Sequence, residues 1–189
     1  MGKERAMEQQ EIKRKNPMED WLDWLESIAL AVITVVLLFS FFFRVVGVKG
    51  ESMERTLFEN DRLIVQEAFY TPKAGDIVIL NKPNFSGKPF VKRVIATGGQ
   101  KVDIDFDTGE VYVDDQLIEE PYLGSGISAK ADDQAFPVYL EENEIFVMGD
   151  NRAHSTDSRS TEIGTVDTRY VVGKVVLRIF PLEEFGTLQ

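Results

Sequence analysis

Phe90-Val91-Lys92-Arg93-Val94-Ile95-Ala96 reads as a strongly apolar β-strand closed by Gly98-Gly99. Strand side chains alternate, so Phe90, Lys92 and Val94 share one face. Outward from it the chain keeps a strand-like pattern. Arg62–Val65 and Asp76–Leu80 are strands on the N-terminal side, the second ended by Asn81, Pro83 and Asn84. On the C-terminal side Lys101–Phe106 and Glu110–Val113 alternate across Asp107-Thr108-Gly109, a hairpin signal, and a tight turn at Asp114-Asp115 precedes Gln116-Leu117-Ile118. Glu144–Met148 is a further strand. Tyr170–Phe180 is a long final one, with Gly173 at a bulge and Pro181 as its stop. Residues 119–143 are polar and punctuated by Gly and Pro, an irregular excursion. The fold class is mainly β, an antiparallel β domain with room only for short helices after Ser52.

One segment departs from this pattern. From Ile28 to Phe43 every residue is uncharged, and all but Thr34 and Ser40 are apolar. Trp21, Leu22, Trp24 and Leu25 before it, and Val45, Val46 and Val48 after it, extend the run to the roughly 20 residues needed to span a bilayer. The tryptophans suit an interfacial belt, and Arg44 can reach the headgroups. A core helix would need a comparable partner helix. A cleavable signal peptide would end in small residues, whereas this run ends Phe41-Phe42-Phe43-Arg44. The expected organisation is a cytoplasmic tail over 1–20, an uncleaved transmembrane signal anchor over 21–46, and an extracytoplasmic β-rich domain over 47–189. Five basic residues precede the span and four follow it closely, a bias toward an inside N-terminus.

Composition narrows the chemistry. The 189 residues include no cysteine and one histidine, which removes disulfides, thiolate nucleophiles, zinc fingers and multi-histidine metal sites. A Ser-His-Asp hydrolase would have to be built on His154. The net charge is −11, of which −9 lies beyond Phe43. That acidity argues against a nucleic-acid partner, which wants a basic face.

Three constellations could carry chemistry. Gly50-Glu51-Ser52-Met53-Glu54-Arg55-Thr56-Leu57 places a serine after a glycine-containing turn; the bland alternative is a surface serine. In the Phe90 strand, Lys92 is flanked on its own face by Phe90 and Val94. Desolvation there would lower its pKa and let it serve as a general base; the alternative is an edge lysine with a solvated head. Gly149-Asp150-Asn151-Arg152-Ala153-His154-Ser155-Thr156-Asp157-Ser158-Arg159 ends an apolar strand with a dense set of hydrogen-bonding groups. It suits a buried orienting network, with a solvated turn or a calcium-like loop as alternatives. Its two arginines count against a cation.

In this order, behind an N-terminal anchor, these segments resemble the bacterial type I signal peptidases, membrane-anchored Ser-Lys endopeptidases of a fold shared with LexA-type proteases. Gly149–Arg159 matches the family's Gly-Asp-Asn-Arg…Ser-x-Asp-Ser-Arg pattern throughout. Asp76 within Ala74-Gly75-Asp76-Ile77-Val78 fits another family box, and Gly173–Pro181 looks like the family's final strand. The short excursion resembles the compact Gram-positive form.

The resemblance implies Ser52 as nucleophile and Lys92 as general base, with the Ser52 N–H facing the oxyanion. It implies Ser155 as the residue that orients the Lys92 amine. Asp150 with Arg152, and Asp157 with Arg159, would hold the loop by ion pairs. Val48, Gly50, Met53, Leu57, Phe90 and Val91 would surround small apolar subsites that select Ala-x-Ala-like cleavage sites. Partners would be preprotein signal peptides and the lipid bilayer of the cytoplasmic membrane, with no metal or cofactor. Arg55 departs from the pattern, for it stands where the family usually has proline; an anchored, non-enzymatic export or assembly module is the alternative function.

Overall fold

The computed structural model describes residues 17–83, 85, 87–123 and 133–188. Most of the expected tail and residues 124–132 of the excursion lie outside them. The chain divides into two compact units between Phe41 and Phe42.

The first unit is built on helix α1 (Pro17–Phe42). Within it Trp21–Phe42 has a mean hydropathy of 2.4 and is, among the described residues, the one helix long and apolar enough to cross a membrane. At 1.5 Å per residue it spans about 33 Å. Its hydroxyls bond back to carbonyls four residues earlier, Ser27 to Asp23, Thr34 to Leu30 and Ser40 to Val36, each at 2.8 Å. A helix in hydrocarbon must satisfy its polar groups internally, and these do.

The helix is shorter than the apolar run. Val45 and Val46, read above as lengthening the span, lie in strand β1 (Phe43–Gly47), and Val48 is buried just beyond it. The physical reason is pairing: β-branched residues suit a strand, and β1 finds an antiparallel partner in β2 (Arg62–Gln66), Val46 opposite Leu63.

The second unit holds the other strands: β3 (Ile77–Leu80), β4 (Phe90–Thr97), β5 (Lys101–Ile104), β6 (Val111–Val113), β7 (Gln116–Leu117), β8 (Val138–Tyr139), β9 (Glu144–Met148), β10 (Val166–Asp167) and β11 (Val171–Phe180). Seven form one sheet in the order β1-β2-β11-β3-β4-β9-β10, and four form another, β7-β6-β5-β8. Every pairing is antiparallel. The mainly β expectation holds. Strands β1, β8 and β10 are additions to it, the last two only two residues long and without a sequence signal of their own.

Alternation distributes the core. Along β3, Ile77 and Ile79 enter a cluster with Val48, Met53 and Leu57, while Val78 and Leu80 enter another with Val94, Ile145 and Val147. Both faces of β3 are therefore covered, which is why it reads as an unbroken apolar run. Ile95, Phe146 and Met148 face a third cluster with the smaller sheet. Asp114 and Asp115 turn the β6–β7 hairpin with positive φ, 50° and 64°, as a type I′ turn requires. The register of β11 on β3 shifts beside Gly173, where a Cβ would strike the Gln66 carbonyl of β2.

Candidate active site

Ser52 sits in consecutive turns that follow β1. Gly50 has φ +82°, a conformation that glycine adopts without strain. Glu54 N–H donates to the Glu51 carbonyl (3.0 Å), and Thr56 and Leu57 N–H groups to the Met53 carbonyl (3.1 and 2.8 Å). Met53 and Leu57 are buried and fasten the turn to the core. Ser52 itself is half-buried.

Lys92 lies on β4, opposite Val78 of β3, and is only 4% exposed. Its Nζ donates to Ser52 Oγ at 2.8 Å. The same amine is 5.6 Å from the centroid of the Phe90 ring, its predicted neighbour on that face. Burial pulls the ammonium down to about 8; Asp157 opposes this, Arg159 adds to it, and Asp150 opposes it. An amine that loses its proton near neutrality, held against a hydroxyl, can remove the hydroxyl proton.

Beside the pair is a cleft of about 330 Å³. Val48, Gly50, Met53, Phe90 and Val91, all assigned to subsites above, line it, together with Val46 and Ile79, which sequence reasoning missed. Leu57 does not line it; fully buried, it supports the cleft from beneath, in one cluster with Val48 and Met53.

The Gly149–Arg159 loop packs against the serine turn. Asn151 N–H donates to the Ser52 carbonyl (3.1 Å), and Asn151 Nδ2 to the Glu51 carbonyl (3.1 Å). A side chain at Gly149 would collide with both Ser155 Oγ and the Ser52 carbonyl, so the approach depends on glycine there. Asp157 pairs with Arg159 as expected, Nε to Oδ1 and Nη2 to Oδ2, both at 2.8 Å, and accepts from Gly149 N–H at 2.9 Å. Burial pushes the Asp157 carboxyl up, but Arg159 and the Gly149 N–H outweigh it and hold it below the usual range.

Two expectations need correction. Asp150 is not paired with Arg152. Arg93 of β4 takes Asp150 with two bonds, Nε to Oδ1 at 2.9 Å and Nη2 to Oδ2 at 2.7 Å, while Thr56 Oγ1 donates to Oδ2 at 2.5 Å. Arg152 pairs instead with Glu120 of the excursion and donates to the Gly149 carbonyl at 3.1 Å. The turn after β9 sends these neighbours to different partners, one to β4 and one to the excursion. The second correction concerns Ser155. Its buried Oγ makes no hydrogen bond, to Lys92 or to any other described residue, though it lies close enough to Asp157 to lower that carboxyl.

Arg93 was also missed, and it had a signal: a charge one step from Lys92 in an apolar strand points to the opposite face and needs a buried carboxylate. Its third contact, Nη1 to the Gly75 carbonyl at 2.9 Å, reaches the segment containing Asp76. Asp76 is held by the Tyr70 hydroxyl at 2.7 Å and Lys174 at 2.5 Å. His154 is exposed, with Asn151 as its neighbour at 3.3 Å, and stands outside these contacts.

A half-buried serine hydroxyl held by a desolvated lysine beside an apolar cleft is the geometry that a serine hydrolase with an amine base requires. Residues 21–180 match the signal peptidase, peptidase S26, family, and the chain belongs to it. It is 36% identical over 172 residues to a signal peptidase I of Bacillus amyloliquefaciens, covering 86% of this chain and 90% of that one. Against a signal peptidase IB of Staphylococcus aureus it is 30% identical over 184 residues, 88% and 93% of the two chains. A solved signal peptidase I of Enterococcus faecalis V583 is 25% identical, with a TM-score of 0.46 over 57% of this chain and 98% of that one.

Proposed function

We propose that this chain is a signal peptidase I that cleaves signal peptides from exported preproteins, with Ser52 as nucleophile and Lys92 as general base. The contact that carries the proposal is Lys92 Nζ to Ser52 Oγ at 2.8 Å, with the amine buried. Nothing favours the non-enzymatic alternative.

The substrate enters the cleft extended, adding as a strand beside β4. Subsites framed by Val48, Met53, Phe90 and Val91 are apolar, and they admit small side chains before the scissile bond. Neutral Lys92 takes the Ser52 proton as Oγ attacks the carbonyl carbon, and the carbonyl pair moves to the oxygen, stabilised by the Ser52 N–H. The intermediate collapses as the Lys92 ammonium returns that proton to the leaving amine. Water, deprotonated by Lys92, then hydrolyses the acyl-enzyme and frees Ser52. The apolar walls that select small residues also dry Lys92, so one surface serves specificity and base strength.

Helix α1 anchors the enzyme in the membrane, with the N-terminus in the cytoplasm and the catalytic unit outside. Ser52 is nine residues beyond Phe43, a reach of at most about 30 Å. Cleavage therefore falls near the membrane surface, where a signal peptide's own apolar segment emerges.

The test is processing of a preprotein with an Ala-x-Ala cleavage site by the full chain in vesicles. Ser52→Ala and Lys92→Ala lose processing, and His154→Ala retains it. Processing that survived Ser52→Ala would overturn the mechanism.

A further inference from the structure

The last strand reaches the nucleophile turn through one side chain. Arg178 of β11 is 12% exposed at its side chain and makes contacts in two directions. Inward, its Nη1 donates to the Thr56 carbonyl at 3.0 Å and to Asp61 Oδ2 at 3.1 Å. Asp61 Oδ2 also accepts the Phe58 N–H at 3.0 Å, and Asp61 N–H bonds the Phe58 carbonyl at 3.1 Å. Outward, Nε donates to the Glu184 carbonyl at 2.9 Å and Nη2 pairs with the Glu184 carboxylate at 2.7 Å.

Thr56 makes this geometry informative. It lies four residues after Ser52, and its polar groups are held by two separate parts of the fold. The hydroxyl is bound to Asp150, the carboxylate that Arg93 grips next to Lys92. The carbonyl is bound to Arg178. The serine turn is thus tied to the strand carrying its base at one point and to the last strand at another. Behind Arg178 the chain folds back: Arg178 and Gly186 exchange backbone bonds of 2.9 and 3.2 Å, and Leu188 packs against the cluster of Val48, Met53 and Leu57.

We infer that Arg178 is a positioning residue for Ser52, and that residues 182–188 are its brace. The guanidinium spans the Thr56 carbonyl, Asp61 and Glu184 at once, so the turn holds Ser52 Oγ against Lys92 before substrate arrives. Only a planar fork with several donors can do this; a lysine ammonium, a single point of charge, cannot reach all three. Arg178 is absent from the lining of the cleft, so its loss acts on the geometry of the pair and not on substrate affinity. Small misplacements of reacting groups are costly, on the order of a hundredfold in rate for 1 Å.

The inference rests on the Ser52–Lys92 reading, and the experiment separates the two. Arg178→Ala, Arg178→Lys and Glu184→Ala are made in the full chain and assayed in vesicles on the same preprotein, well below each variant's melting midpoint. Folded fraction is measured by circular dichroism on the same samples. Arg178→Ala and Arg178→Lys lower kcat per folded enzyme by roughly tenfold or more, with KM and the pH midpoint of activity unchanged. Glu184→Ala, which keeps the inward contacts, lowers kcat by a smaller factor. Should Arg178→Ala not fold, the other two variants decide. Wild-type kcat per folded molecule in Arg178→Lys overturns the inference and leaves Arg178 a purely structural residue, as does an effect confined to KM. Ser52→Ala in the same assay reports independently on the site: activity there would overturn the underlying mechanism, whatever Arg178 does.

Discussion

Arg93 and Asp150 form a two-bond ion pair that is almost wholly shut off from water, with side chains 1% and 0% exposed. The residue before Arg93 is Lys92, and Asp150 also holds Thr56 of the serine turn. The pair therefore joins the elements that bear Lys92 and Ser52. The ring of Tyr122 covers the guanidinium at 3.8 Å.

Removing one partner leaves an uncompensated buried charge. Asp150→Ala is expected to destabilise the catalytic unit by about 3–5 kcal/mol and to abolish processing. Denaturant unfolding of the variant measures the first and the preprotein assay the second. A loss below about 1 kcal/mol, the worth of an exposed pair, would show that water reaches the site.

The rate should follow the Lys92 amine. With the folded pKa near 8, kcat/KM rises about tenfold per pH unit below that value and levels off above it. A profile flat between about pH 6 and pH 9 would exclude Lys92 as the base.

The same shift has a cost in stability. Lys92 goes from 10.5 to about 8 on folding, so burying the ammonium costs about 3 kcal/mol. Below pH 8 both states are protonated and the penalty is complete. Between 8 and 10.5 the unfolded chain keeps its proton while the folded one has lost it, so stability rises with pH and the penalty fades. Lys92→Met should therefore be inactive yet more stable than the parent, with the gain largest below pH 8 and shrinking toward pH 10.5. Equal gains at both ends would refute the desolvation account.

Gly149→Ala should inactivate the enzyme although it adds one methyl. Its Cβ would strike Ser155 Oγ and the Ser52 carbonyl, pushing the loop away from Ser52. The expected result is a kcat loss on the order of a hundredfold with a folded domain by circular dichroism. Normal turnover would mean that the loop relaxes without moving Ser52.

Arg55, exposed in the serine turn, has φ +90°, a left-handed conformation that costs a side-chain-bearing residue about 1–2 kcal/mol. Arg55→Gly should stabilise the protein by about 1 kcal/mol in thermal or denaturant unfolding. Arg55→Pro should destabilise it, because proline is confined near −65°. A stabilising Arg55→Pro would show that the turn has a second low-energy form.

Local pattern was enough for much of this protein. The alternation around Lys92, the turn at Asp114-Asp115, the bulge at Gly173 and the apolar run from Ile28 to Phe43 each depend on residues close in sequence, whose spacing sets which face or turn they occupy. The Ser52 and Lys92 segments could be recognised from their motifs for the same reason. Partner choice was not legible. Asp150 binds Arg93 rather than Arg152, Arg152 binds Glu120, and Arg178 reaches Thr56 across the fold. Each of these contacts joins residues distant in the chain, and a sequence does not specify which of several arginines will meet a given carboxylate. Only the packing of strands, which decides what is buried together and must be neutralised there, selects the pairs.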